Sequence, residues 1–93
     1  MIEFQSKTFN EDIIFNDDVH LTGSTTALGN IRAFSIKSEK DLNVVKNLES
    51  TQGSVIAKSS LIIGKDLVSA KNIVINGNCE VNKNIIGEKF TFN

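Results

Sequence analysis

Ninety-three residues, 40% of them hydrophobic, are enough for one domain with a slender core. A formal net charge of −1 provides no bulk attraction for nucleic acid, and a single cysteine, Cys79, excludes an internal disulfide framework and fits a reducing, cytoplasmic setting. The first seven residues lack the basic and apolar regions of a signal peptide, and no apolar run reaches membrane-spanning length, so no membrane partner is expected.

Residues 1–6 alternate Ile2 and Phe4 with polar residues and read as a lead-in strand. Six-residue units then follow: 7–12, 13–18, 19–24 and 25–30, a shortened copy at 31–35, then 36–41 and 42–47. A lengthened copy spans 48–54, carrying one extra residue in Ser50-Thr51-Gln52-Gly53, and 55–60 leads into four gapless copies over 61–84. A last copy covers 85–90, and 91–93 form a tail. Position 1 of each unit is mostly apolar, position 3 is apolar or small, and the last position of the thirteen copies from 7 to 84 is Asn, Asp or Ser. Such short polar side chains hydrogen-bond nearby backbone and tolerate left-handed conformations, so the column predicts a repeated corner. Apolar spacing of 2 within a unit and 6 between units has no helical period.

One copy cannot bury anything alone. Positions 1 and 3 of an extended segment share a face, three corners close a triangular coil of about 18 residues, and coils stack at about 4.8 Å. The fold expected is therefore all-β: a single three-sided, single-stranded β-helix, or β-solenoid, over residues 1–93, with between four and five coils. Copies three apart share a face. Position 1 on the three faces is Lys7, Thr25, Leu42, Leu61 and Cys79; Ile13, Ile31, Leu48, Leu67 and Ile85; and Val19, Ile36, Val55 and Ile73. Small position-3 residues on the second of these faces (Ala33, Ser50, Ser69, Gly87) predict a pinch there.

The segment 66–78, Asp-Leu-Val-Ser-Ala-Lys-Asn-Ile-Val-Ile-Asn-Gly-Asn, resembles the bactofilins and related polymer-forming right-handed β-helices. The resemblance implies a non-enzymatic protein that associates end to end. Strict hexads are typical of left-handed coils, but their small position is here held by Leu61, Leu67, Ile73 and Ile85, which are too bulky for that tight coil; a right-handed coil is favoured.

No catalytic, cofactor or metal constellation is visible. His20, the only histidine, sits at an outward position 2 without a second His or clustered Cys, and reads as a solvated imidazole. Cys79 takes an inward position 1 as a small buried hydrophobe. The acidic pairs Glu11-Asp12 and Asp17-Asp18 fall at turns and read as solvated corners, and Lys46, Lys65 and Lys83 fall on one edge. Candidate interface residues are of two kinds. Outward Ile56 and Val74 stack on one face and Val68 and Ile86 on another, where a contiguous apolar patch would mark a contact surface. Phe4, Phe90 and Phe92 lie at the ends, where an open cross-section needs plugging or a second subunit.

The leading expectation is a self-associating structural scaffold, a homo-oligomer or polymer joined through ends or apolar face. The alternative is a small module binding one protein partner, of inhibitor, immunity or phage accessory type, through the apolar patch. An ice-binding solenoid would need a Thr ladder that Thr25, Thr26 and Thr91 do not make. Residues 1–30 carry five acids against Lys7, a net of −4, and residues 31–93 nine bases against six acids, a net of +3. That asymmetry favours head-to-tail steering, whereas the Phe-bearing ends favour like ends meeting; apolar contact is expected to win, since exposed charge pairs contribute only about 0–1 kcal/mol each.

Overall fold

The computed structural model describes Met1–Asn93, and every strand pairs in parallel with strands one coil away. The first face carries β1 (Ile2–Phe4), β4 (Asp18–Leu21), β7 (Ser35–Ser38), β10 (Val55–Ala57), β13 (Asn72–Ile75) and β16 (Lys89–Phe92). The second carries β2 (Lys7–Phe9), β5 (Thr25–Ala27), β8 (Leu42–Val44), β11 (Leu61–Ile63) and β14 (Cys79–Val81). The third carries β3 (Ile13–Ile14), β6 (Ile31–Ala33), β9 (Leu48–Ser50), β12 (Leu67–Ser69) and β15 (Ile85–Ile86). The chain is a β-solenoid of about five turns, with extents of 27 × 23 × 21 Å. The residues expected to lead in form a strand of the first coil, and the last strand runs on through Thr91 and Phe92.

Most strands are three residues long because each side is short, and their alternation decides what is buried. Leu42 and Val44 are buried while Asn43 between them is exposed, and the same holds for Leu61, Ile63 and Ile62. Seventeen buried hydrophobic residues make one continuous core shared by the three faces. The registers expected from the hexads hold: Leu61 pairs with Leu42 and Cys79, Leu67 with Leu48 and Ile85, and Val55 with Ile36 and Ile73. At position 3 of the third face, Ala33, Ser50 and Ser69 are buried; the Ser50 hydroxyl donates to the Gly53 carbonyl at 2.8 Å and that of Ser69 to the Asn72 carbonyl at 3.1 Å. The Gly53 and Asn72 carbonyls thereby satisfy the two buried hydroxyls, which would otherwise be costly.

The shortened and lengthened copies cancel. Asp18 pairs with Ser35 across 17 residues, and Ile36 with Val55 across 19, both where the chain enters the first face from the third. The extra residue is absorbed where the Gln52 and Gly53 amides both donate to the Phe34 carbonyl, at 3.0 and 2.7 Å.

The corners differ from expectation in one respect. No residue adopts a positive φ, so the Asn and Asp column does not serve left-handed turns. Its side chains instead reach the neighbouring coil. Asp12 Oδ1 accepts from the Asn30 amide at 2.8 Å, Asn30 Oδ1 from Asn47 at 2.9 Å, Asn47 Oδ1 from Asp66 at 2.9 Å, and Asp66 Oδ1 from Asn84 at 3.1 Å. The result is a ladder running the length of one edge, each rung satisfying an amide that faces away from the strand pairing. Backbones approach closely at the corners: a Cβ on Gly64 would lie 1.9 Å from the Val45 carbonyl oxygen, so only glycine fits there.

Candidate functional site

The two ends of the solenoid are built differently. At the N-terminal end each face contributes one ring: Phe4, Phe9 and Phe15 have centroids 5.3, 5.6 and 5.9 Å apart, two of the three contacts edge-to-face. The three rings fill the cross-section, leaving Phe9 buried and Phe4 and Phe15 half-buried. Beside them Lys7, paired with buried Thr25 and so on the inward row of β2, holds its ammonium 5.9 Å from the Phe9 ring centroid.

At the C-terminal end, Phe90 pairs with Ile73 and Phe92 with Ile75, so both occupy inward rows whose preceding residues are fully buried. No further coil covers them. Phe90 is 45% exposed, Phe92 53% and Ile85 37%. The two rings stack on each other at 6.3 Å, on one face, instead of meeting rings from the other two. β14, β15 and β16 are the outermost strands of their sheets, so this end presents three unpaired edges around an apolar centre.

Cys79 faces inward beside Leu61 as expected, but its position on the outermost strand leaves it half-buried instead of buried. Burial still pushes its thiol up from the ordinary value, which disfavours the reactive thiolate.

His20 departs further from expectation. It lies in the outward column of the first face yet is not a freely solvated imidazole: Nδ1 is 3.1 Å from Glu3 Oε2 and Nε2 is 2.6 Å from Glu39 Oε2. The ring thus bridges two carboxylates, one at each nitrogen. The clamp ties β1 to β4 and to the turn after β7, and Lys58 at 3.4 Å and Lys37 at 3.8 Å add cations around Glu39. The His20 hydrogen bond, with those lysines, holds the Glu39 carboxyl below the ordinary carboxylate range.

The other candidates take structural positions. Asp17 pairs with the Met1 ammonium at 2.9 Å, Asp18 accepts from the Ser35 hydroxyl at 2.8 Å, and Asp12 is a ladder rung. The Lys65 amide donates to the Lys46 carbonyl at 3.1 Å and that of Lys83 to Lys65 at 3.2 Å, which stacks the three lysines on one edge. Outward Ile56 pairs with Val74 on the first face and Val68 with Ile86 on the third; the first three are half-buried and Ile86 is 55% exposed. A groove on the third face runs past Arg32, Glu49, Asp66 and Val68, and its central charges neutralise each other in an Arg32–Glu49 pair at 3.1 Å. Compared with protein-family models, with curated proteins and with solved structures, the chain matches none.

Proposed function

We propose that this chain is a non-enzymatic structural protein that works by associating with copies of itself through the ends of its solenoid. One observation carries the reading: the C-terminal coil leaves Ile85, Phe90 and Phe92, residues in core rows, uncovered within a ring of unpaired edges. Covering such a centre removes apolar surface from water at about 25 cal/mol per Å² and satisfies edge amides and carbonyls together. The resemblance to the bactofilins points the same way. No cofactor enters this role, nor does nucleic acid or membrane, and a cytoplasmic setting accords with the single free thiol.

Sedimentation over a concentration series, with negative-stain microscopy, tests the proposal. Wild type associates as concentration rises, and association survives high salt because the contact is apolar. Phe92→Ser, at an already exposed position, weakens association while the β-rich circular dichroism stays intact. A chain that is monomeric throughout refutes the proposal. Loss of association on Val74→Lys, with Phe92→Ser indifferent, moves the contact from the end to the apolar pair Ile56 and Val74 on the first face, the surface a single protein partner would use.

A further inference from the structure

We infer that the two ends are not interchangeable: association, on the reading just given, joins two copies through their C-terminal ends into a closed two-fold dimer, and growth stops at the N-terminal ends. The N-terminal end is guarded in three ways. Its cross-section is already filled by Phe4, Phe9 and Phe15. Lys7 stands on the inward row of β2, so any chain capping that edge would strip water from an ammonium, a known device against edge pairing. The end is also acidic: residues 1–18 carry Glu3, Glu11, Asp12, Asp17 and Asp18 against Lys7, a net of −4, so two such ends repel. The last coil has none of these guards. Its inward residues Cys79, Val81, Ile85, Phe90 and Phe92 are uncharged, and over residues 79–93 Glu80 and Glu88 balance Lys83 and Lys89.

Strand arithmetic then separates head-to-tail from like-end contact. Sixteen strands on three faces are five coils and one strand, ending on the first face. A copy continuing that coil head to tail therefore lays its β1 on β14 and its β2 on β15. The middle residues Glu3 and Glu80 then stand side by side, and Lys7 is enclosed next to Ile85. Both contacts are unfavourable.

A like-end junction avoids both. The step of the last coil lies at the corner between β16 and β14, and a two-fold axis through that corner brings the two spiral ends together at uniform spacing. It pairs β15 with the second copy's β15 and β14 with the second copy's β16, all antiparallel. Ile86 then meets its own counterpart, Ile85 comes opposite Gly87, and Glu80 comes opposite Thr91 with Lys89 on the diagonal. No like charges face each other. An end of a 27 × 23 × 21 Å body is smaller than the roughly 800 Å² per partner of a standard interface, so the dimer is a weak one.

The test is sedimentation of the 93-residue chain from about 10 μM to about 1 mM, the range a small interface requires, together with the rate of Cys79 alkylation by a maleimide. Cys79 lies on the strand that the junction covers. The mass is expected to level off at two copies, and alkylation to slow with the monomer fraction, about tenfold where nine-tenths of the chain is dimeric. Phe92→Ser restores the monomer mass and the fast alkylation rate, and Lys7→Leu remains dimeric. Mass that keeps growing into filaments overturns the closed dimer but upholds self-association. A dimer whose Cys79 reacts at the monomer rate overturns the C-terminal junction. A chain that stays monomeric removes the inference and the proposed function together.

Discussion

Leu67→Ala tests whether the inward rows carry the stability of the coil. Leu67 is fully buried, stacked between Leu48, also fully buried, and Ile85. Truncation removes three carbons from the core, about 2.4 kcal/mol at roughly 0.8 kcal/mol per buried methylene. A cavity penalty adds to this, because the walls cannot collapse. The Leu67 amide is tied to the Asn84 carbonyl at 2.9 Å and the Leu48 amide to the Asp66 carbonyl at 3.0 Å, which fixes the spacing of the coils on both sides. A loss of about 3–5 kcal/mol is expected, within the range seen for buried Leu→Ala changes. That is a large part of the roughly 5–14 kcal/mol total expected of 93 residues. The assay is urea titration followed by circular dichroism, with the slope compared to wild type. Ile85→Ala, on the same row but 37% exposed at the open end, should cost less than Leu67→Ala. Glu80→Ala, on the outward side of β14, should stay within about 0.5 kcal/mol. A Leu67→Ala loss below about 0.5 kcal/mol, or one smaller than that of Ile85→Ala, would refute the reasoning.

Two further predictions concern polar contacts. Asn47→Ala removes the oxygen that accepts from the Asp66 amide and should cost about 1–3 kcal/mol, whereas Asp66→Asn keeps its acceptor and should stay near wild type; equal losses in urea titration would mean that the ladder contributes nothing specific. Stability should also fall in acid: Glu39, held low chiefly by His20, and Asp41, held low chiefly by the Ser59 hydroxyl, have folded values below their unfolded ones, so their contribution is present above the ordinary carboxylate range and is lost as pH drops through the folded values. Glu39→Gln should flatten that acid limb in urea titrations across pH, and a variant that follows wild type throughout would show that the His20 clamp does not stabilise the fold.

Much of the fold was legible because its signals are local. Alternation within a unit names the inward residues, and the repeat of six assigns them to faces, so the pairings of Leu61 with Leu42 and of Leu67 with Leu48 could be read before any coordinates. The spacing misplaced the last phenylalanines, putting Phe90 at a corner and Phe92 in a tail. The last copy is one residue short, so Phe90 pairs with Ile73 and Phe92 with Ile75 on inward rows. What the sequence could not decide lies between coils, where residues about 4.8 Å apart in space are 17 to 20 apart along the chain. Glu3 and Glu39 meet His20 across 17 and 19 residues, a clamp visible only once the coil closes, and the solvated imidazole expected from position alone was wrong for that reason. The Asn and Asp column announced corners, but the tertiary structure decided that its oxygens serve the next coil and not a left-handed turn. The ends show the same division: phenylalanines occur near both in sequence, yet at the N-terminal end they stand one to a face and close the core, whereas Phe90 and Phe92 share a single face and leave it open.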